Sequence, residues 1–218
     1  MSNIITMRST HSGEYNNISN ENEPFLSLGV NGYNSPFDEN NKYTAACFKE
    51  NSMIASNSDN TNLRYADIFT VCFWVKFPKK AIIDTVYPNK FIFVMNNGEA
   101  VIDYVLTEEK ILNNEWHYFV VTRDINNNII FMIDGKVIKT VENNTEIFDL
   151  NDNSYIYLGC DNYNSTGYDV AIDDFIVIDT NIFQNDISVP TDYIDVSQFK
   201  YCLYIKVSTG EVFGYTEV

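Results

Sequence analysis

The densest group of side chains able to do chemistry is the nine-residue run Asp161-Asn162-Tyr163-Asn164-Ser165-Thr166-Gly167-Tyr168-Asp169. Calcium takes six to eight oxygens from carboxylates, amides and carbonyls of flexible loops. Asp161 and Asp169 are the carboxylates that would anchor such an ion, which makes calcium the one cofactor to expect, though nothing in the sequence requires it. The run lacks the alternating acidic order and distal Glu of an EF-hand. Tyr163 and Tyr168 also offer ring faces for a sugar, with Asp161 and Asn162 beside them to bind hydroxyls. Tyrosine suits such wet contacts because it joins an apolar ring to a polar tip. These four residues form the expected ligand-binding edge, and a plain solvated turn is the alternative.

Hydrolytic chemistry is harder to assemble. Glycoside hydrolysis needs two carboxyl groups roughly 5–9 Å apart across the scissile bond. Asp173-Asp174 and Glu108-Glu109 are each adjacent in sequence. On a regular strand, neighbours point to opposite faces, so neither doublet forms a pair alone. His117 follows Trp116, and the other histidine is His11 in a polar stretch. A hydrogen-bonded sheet residue is therefore the expectation for His117. No Gly-x-Ser-x-Gly nucleophile turn is present. Cys47, Cys72, Cys160 and Cys202 show no metal-binding spacing and sit in apolar runs, as buried free thiols do. The chain is expected to be non-catalytic.

The elements that must carry these residues are short strands. The chain has 218 residues with 30 acidic and 14 basic side chains, a formal charge of −16. Nucleic-acid binding, which depends on cationic contacts to phosphate, is disfavoured, and so is docking on anionic membranes. No apolar run approaches the roughly 18 residues of a spanning helix, so no membrane insertion is expected. β-Favouring runs fall at Phe25–Val30, Tyr43–Phe48, Phe69–Phe77, Phe91–Met95, Ala100–Leu106, Trp116–Arg123, Ile129–Asp134 and Lys136–Val141. Further runs are Ser154–Cys160, Tyr168–Asp179, Lys200–Val207 and Glu211–Thr216. Asn, Asp and Gly clusters separate them, and no window shows a helical apolar stripe. Asp134-Gly135 predicts a tight hairpin, because both residues tolerate positive φ. Ser208-Thr209-Gly210 predicts another, with a three-residue connection. Trp74 and Trp116 lie in apolar runs and are expected in the core. The reading is all-β: a polar N-terminal arm over 1–24, one domain over 25–195, and a C-terminal hairpin over 196–218. That hairpin is marginal alone, which suggests an assembly element, a homo-oligomer among its uses.

Four segments in order resemble a laminin-G-like domain of the concanavalin A-like lectin and glucanase superfamily. They are Ala45-Ala46-Cys47-Phe48-Lys49-Glu50-Asn51-Ser52-Met53-Ile54, Phe69-Thr70-Val71-Cys72-Phe73-Trp74-Val75-Lys76, and Glu115-Trp116-His117-Tyr118-Phe119-Val120-Val121-Thr122-Arg123-Asp124. The fourth is Tyr157-Leu158-Gly159 followed by Ala171-Ile172-Asp173-Asp174-Phe175-Ile176-Val177. Glu50 stands where the family usually has Gly. The resemblance implies two antiparallel sheets packed as a jelly-roll sandwich. The Glu-x-Asp-x-x-Glu strand of the glucanase relatives is absent. Asn181-Ile182-Phe183-Gln184-Asn185-Asp186-Ile187-Ser188-Val189-Pro190-Thr191 is similar to the tail of such domains in bacteriophage structural proteins. With no secretory leader recognisable at Met1–Arg8, the resemblance implies a capsid-decoration or tail-fibre component assembled in host cytoplasm. Its partners would be other virion proteins and a host-surface glycan. A bacterial surface or secreted carbohydrate-binding module and a glycan-active hydrolase are the alternatives.

Overall fold

The computed structural model of the chain describes residues 5–9, 25–28, 31–33, 36–37, 45–48, 53–56, 68–77, 90–94, 100–107, 110–145, 154–158, 170–194, 202–208 and 211–215. Among these residues there is no helix. The strands are β1 (Ile5–Ser9), β2 (Phe25–Leu28), β3 (Asn31–Tyr33), β4 (Ala45–Phe48), β5 (Met53–Ser56), β6 (Phe69–Lys76), β7 (Lys90–Val94) and β8 (Ala100–Val105). They continue with β9 (Trp116–Arg123), β10 (Ile129–Ile133), β11 (Lys136–Val141), β12 (Ser154–Leu158), β13 (Val170–Ile178), β14 (Cys202–Ser208) and β15 (Glu211–Tyr215).

Nine strands form one antiparallel sheet whose main path runs β11-β10-β9-β6-β13-β14-β15, with β4 also on β13 and β3 on β4. A four-stranded sheet runs β1-β12-β5-β2, and β7-β8 form a separate hairpin. One edge of β13 pairs with β6 along its length. The other edge is shared: Val170–Ile172 pair with β4 and Phe175–Ile178 with β14. The C-terminal hairpin is therefore hydrogen-bonded into the large sheet through Phe175↔Ile205 to Ile178↔Cys202. Its pairing runs to Ser208↔Glu211, which leaves a two-residue connection rather than the expected three.

Three strands fall outside the runs read in the sequence, β5 (Met53–Ser56), β1 and β3. Ile5–Ser9, within the polar arm, pairs with β12 from Ile5↔Leu158 to Ser9↔Ser154. Its signal is only Ile5 and Met7 alternating with Thr6 and Arg8. Asn31–Tyr33 pairs with β4 and carries almost no apolar pattern.

The large sheet is buried on both faces. Phe69, Val71, Phe73 and Val75 of β6, Phe119 and Val121 of β9, and Phe131 of β10 form the inner core. The β7–β8 hairpin covers that face with Phe91, Phe93, Val101 and Ile102. Phe91 stacks on Phe131 with centroids 4.7 Å apart, and Phe119 meets Phe91 edge-on at 5.3 Å. Residues of the opposite parity, among them Cys72, Trp74, Tyr118, Val120, Met132, Ile176 and Ile178, form a second core on the outer face. It is covered by the segment 179–194, hereafter the strap, through Ile182, Phe183, Ile187, Val189 and Ile194. Burial on both faces is what makes β6 and β9 read as near-continuous apolar runs.

The strap is fastened at the β10–β11 turn. Asp134 and Gly135 both have positive φ, 49° and 76°, as the Asp-Gly pair predicted. Gly135 carbonyl accepts the Ile187 amide at 2.8 Å. One residue earlier, Asp186 accepts from Lys136 Nζ at 2.9 Å and from the Val137 amide at 3.0 Å. The edge strand β11 is exposed almost throughout, with Ile138 as an extra residue between the pairs Met132↔Val137 and Phe131↔Lys139. A bulge and two lysines are devices that discourage a sheet edge from pairing with another chain.

The Val137 amide, and then Lys136, hold the Asp186 carboxyl below its ordinary value of 3.8. Since the folded form favours the carboxylate, this contribution is complete above that value and disappears as pH falls through the depressed one. Pepsin cleavage inside the strap is expected to accelerate at the acid end of its range. The Asp186→Asn variant should be cleaved faster at the upper end of that range and converge with the wild type as pH drops. Parallel curves for the two proteins would exclude the Asp186 latch.

Candidate functional site

Asp161, Asn162, Tyr163, Tyr168 and Asp169, the residues expected to bind ligand or calcium, lie outside the described residues. The strands that flank them are described. β12, before the run, belongs to the four-stranded sheet, and β13, after it, is central to the nine-stranded sheet. Leu158 pairs with Ile54 and Val170 with Phe48, so the strands flanking the run are the partners of β5 and β4. Among the described residues, no group of three His, Cys, Asp or Glu side chains is arranged to hold a metal ion.

Two of the described polar clusters contain the residues singled out in the sequence, and both serve the fold. In the first, His117 Nδ1 lies 2.7 Å from Asp134 Oδ2, and His117 Nε2 lies 3.0 Å from Asn113 Oδ1. The Glu115 amide donates to the same Asn113 oxygen at 2.9 Å, which identifies it as the acceptor. Asp134 Oδ1 accepts the Tyr118 amide at 2.8 Å, and the Asp134 amide donates to Tyr118 carbonyl at 2.8 Å. His117 is 6% exposed. Both ring nitrogens are engaged, and the imidazole braces the hairpin turn as the sequence suggested.

The second cluster corrects the expectation for Asp173-Asp174. Register shifts between Asp173↔Trp74 and Ile176↔Cys72, which gives β13 one extra residue there. Asp174 takes up the difference with φ 48°. A bulge re-aims side chains in this way. Ile172 and Phe175 both stay in the inner core, while the two carboxyl groups meet consecutive residues of the strap. Tyr193 Oη donates to Asp173 Oδ2 at 3.1 Å, and the Ile194 amide lies 3.5 Å from Asp174 Oδ2. Asp173 Oδ1 also accepts the Asp174 amide at 2.9 Å. The doublet is thus brought together, not split across the sheet. Its exposure is 5% for Asp173 and 0% for Asp174, so it stands beneath the strap. Nearby, burial first, then the Cys72 thiol and the Asp174 charge, push the Tyr118 hydroxyl far above the usual phenol range. It stays protonated and serves packing.

Neither Cys72 nor Cys47 is in a disulfide; Cys72 is buried as its apolar run implied, whereas Cys47 is only half-buried. Trp74 is buried in the outer core, and Trp116 packs against it partly exposed. Phe37 and Tyr193 close the strap end, with Phe37 edge-on to Trp74 at 5.4 Å and to Tyr193 at 4.7 Å. Sequence reasoning missed this aromatic corner, since neither residue stands in a periodic run.

These features define a class before a family: an all-β, antiparallel, jelly-roll-like domain in which His117 and the Asp173-Asp174 doublet are buried. The family model described as the concanavalin A-like lectin/glucanases superfamily, of laminin-G type, matches residues 48–188, well over half of the chain. The chain belongs to that family, and the matched region extends through most of the strap. No curated protein matches it. Among solved structures, the binding domain of Paraclostridial mosquitocidal protein 1 is similar at 18% identity and TM-score 0.51, covering 78% of this chain and 46% of that one. The botulinum neurotoxin serotype D ligand-binding domain, solved in complex with N-acetylneuraminic acid, is similar at 14% identity and TM-score 0.52, covering 75% and 43%. The receptor-binding domain of the botulinum neurotoxin C/D mosaic serotype gives 14% identity and TM-score 0.51, covering 72% and 43%. The chain spans less than half of each of these domains. At such identities the likeness is one of fold.

Proposed function

We propose that the chain is a non-catalytic, glycan-binding module carried on a bacteriophage particle as a capsid-decoration or tail-fibre protein. The observation that carries the binding reading is the closure of the large sheet on both faces. With the β7–β8 hairpin on one side and the strap on the other, a ligand would be met by the loops at the rim. The run holding Asp161, Asn162, Tyr163 and Tyr168 falls in sequence between β12 of one sheet and β13 of the other, and Asp161 with Asp169 would take calcium if the loop needs an ion to hold its shape. A lectin-type family and a fold shared with a domain crystallised with a sugar support the same reading. The buried Asp173-Asp174 doublet, engaged by the strap, supports binding over hydrolysis.

Charge narrows the ligand. At −16 overall and with two carboxylates in the run, neutral sugars fit better than sialylated ones. Screening the full chain on immobilised glycans, with calcium and with chelator, is expected to give binding to neutral oligosaccharides without release of reducing sugar. Turnover of a bound glycan would sink the non-catalytic reading, and no binding to any glycan would sink the lectin reading. The particle role is tested separately, by the copy number of the chain in purified virions: hundreds for decoration, few for a tail fibre.

A further inference from the structure

The Asp134-Gly135 turn has a chemical liability that the fold suppresses. It is the one Asp-Gly step in the sequence. In a flexible peptide, the glycine nitrogen attacks the side-chain carboxyl carbon of the preceding aspartate and water leaves, closing a five-membered imide. Water then opens the ring at either carbonyl. Opening at the main-chain carbonyl leaves the backbone running through the former side chain, as isoaspartate, with no net change in mass.

Here, the carboxylate and the backbone on either side of the attacking nitrogen are held. Both carboxylate oxygens are fixed on β9, Oδ2 by the His117 ring at 2.7 Å and Oδ1 by the Tyr118 amide at 2.8 Å. The Asp134 amide is tied to the same residue of β9, at the Tyr118 carbonyl. Gly135 is buried, and its carbonyl accepts from the Ile187 amide at 2.8 Å. A Cβ built on Gly135 would stand 2.2 Å from the Ile187 carbonyl oxygen, so the strap rests directly on the turn. The carboxyl remains within reach of water, its side chain being 43% exposed, so access of solvent does not protect it.

We infer that Asp134-Gly135 is a latent isoaspartate site, kept silent by the His117–Asp134–Tyr118 hydrogen bonds and the strap, and that its conversion unfastens the strap. The extra main-chain methylene of isoaspartate would lengthen a two-residue turn that has no slack. The bonds from Asp134 to β9 and from Ile187 to Gly135 would then be lost together. The outer core would be uncovered as the protein ages.

The test is to age the full chain at neutral pH and quantify isoaspartate in the peptide that spans residue 134. Asn31-Gly32 and Asn97-Gly98 can also convert, but deamidation shifts their mass and separates them. Native wild type is expected to convert at least about tenfold more slowly than the chain in urea, the factor that one to two net hydrogen bonds supply. His117→Leu removes the imidazole bond and should raise the native rate, and His117→Gln, which keeps a donor, should restore it. Should the leucine variant fail to fold, Asn113→Ala loosens the far end of the ring and is expected to give an intermediate rate. Aged, isoaspartate-bearing protein should be cut faster within 179–194. Conversion of native wild type at the urea rate, or a folded His117→Leu or Asn113→Ala variant that ages as slowly as wild type, would overturn the inference.

Discussion

Gly135→Ala is expected to destabilise the protein by about 3 kcal/mol or more, two effects acting at one atom. The first is conformational: a residue with a side chain at φ 76° pays about 1–2 kcal/mol for the left-handed region. The second is steric, since the new carbon would stand 2.2 Å from the Ile187 carbonyl oxygen, which is backbone and cannot rotate away. Urea unfolding measures the total. Gly135→Asn separates the causes, because Asn tolerates the left-handed region but still carries the carbon. If Asn is tolerated and Ala is not, conformation dominates and the strap has room to shift. If both fail alike, the strap is seated as described.

The second large effect lies on the other face. Phe131 is fully buried, stacked on Phe91 at 4.7 Å and flanked by Tyr104 at 5.6 Å and Phe119 at 5.7 Å. Phe131→Ala should cost about 3–5 kcal/mol, the lost transfer energy plus the cavity left among rings that cannot collapse fully. Phe131→Leu, which keeps most of the volume, should lose less than half of that. A cost under about 1 kcal/mol for the alanine variant would place it among surface substitutions. It would mean that the β7–β8 hairpin does not cover the sheet.

Much of this fold was legible because burial leaves a strong mark on a strand. Phe69-Thr70-Val71-Cys72-Phe73-Trp74-Val75 reads as β because it is apolar on both parities, and Asp134-Gly135 reads as a turn because few other pairs accept two positive φ values. The same double parity carried a further signal. Cys72, Trp74, Tyr118, Val120, Ile176 and Ile178 needed a cover on the outer face, and a sheet apolar on both sides implies two covering layers. The cover itself was illegible, since Ile182, Phe183, Ile187, Val189 and Ile194 follow no period and their burial depends on contacts distant in sequence. The bulge at Asp173-Asp174 was hidden for a related reason. Two carboxylates in an apolar strand are its only trace, and a strict period-two reading assigns them to opposite faces. Ile5–Ser9 and Asn31–Tyr33 were missed because each is too short and polar to show alternation, and each is held by a partner strand. The expected binding residues around Tyr163 rest on residue chemistry and on their position between β12 and β13.

The proposed function puts the ligand on the run around Tyr163, with both faces of the large sheet covered. It is tested most directly by titrating a glycan found in the screen against three proteins: wild type, Tyr163→Ala/Tyr168→Ala, and Asp186→Asn. Losing two stacking rings should weaken binding by about five- to 150-fold, at about 0.5–1.5 kcal/mol for each aromatic contact. Loosening the strap should leave affinity unchanged. If the tyrosine variant binds as wild type does while the Asp186 variant binds more tightly, the ligand belongs to the outer face beneath the strap, and the account is wrong.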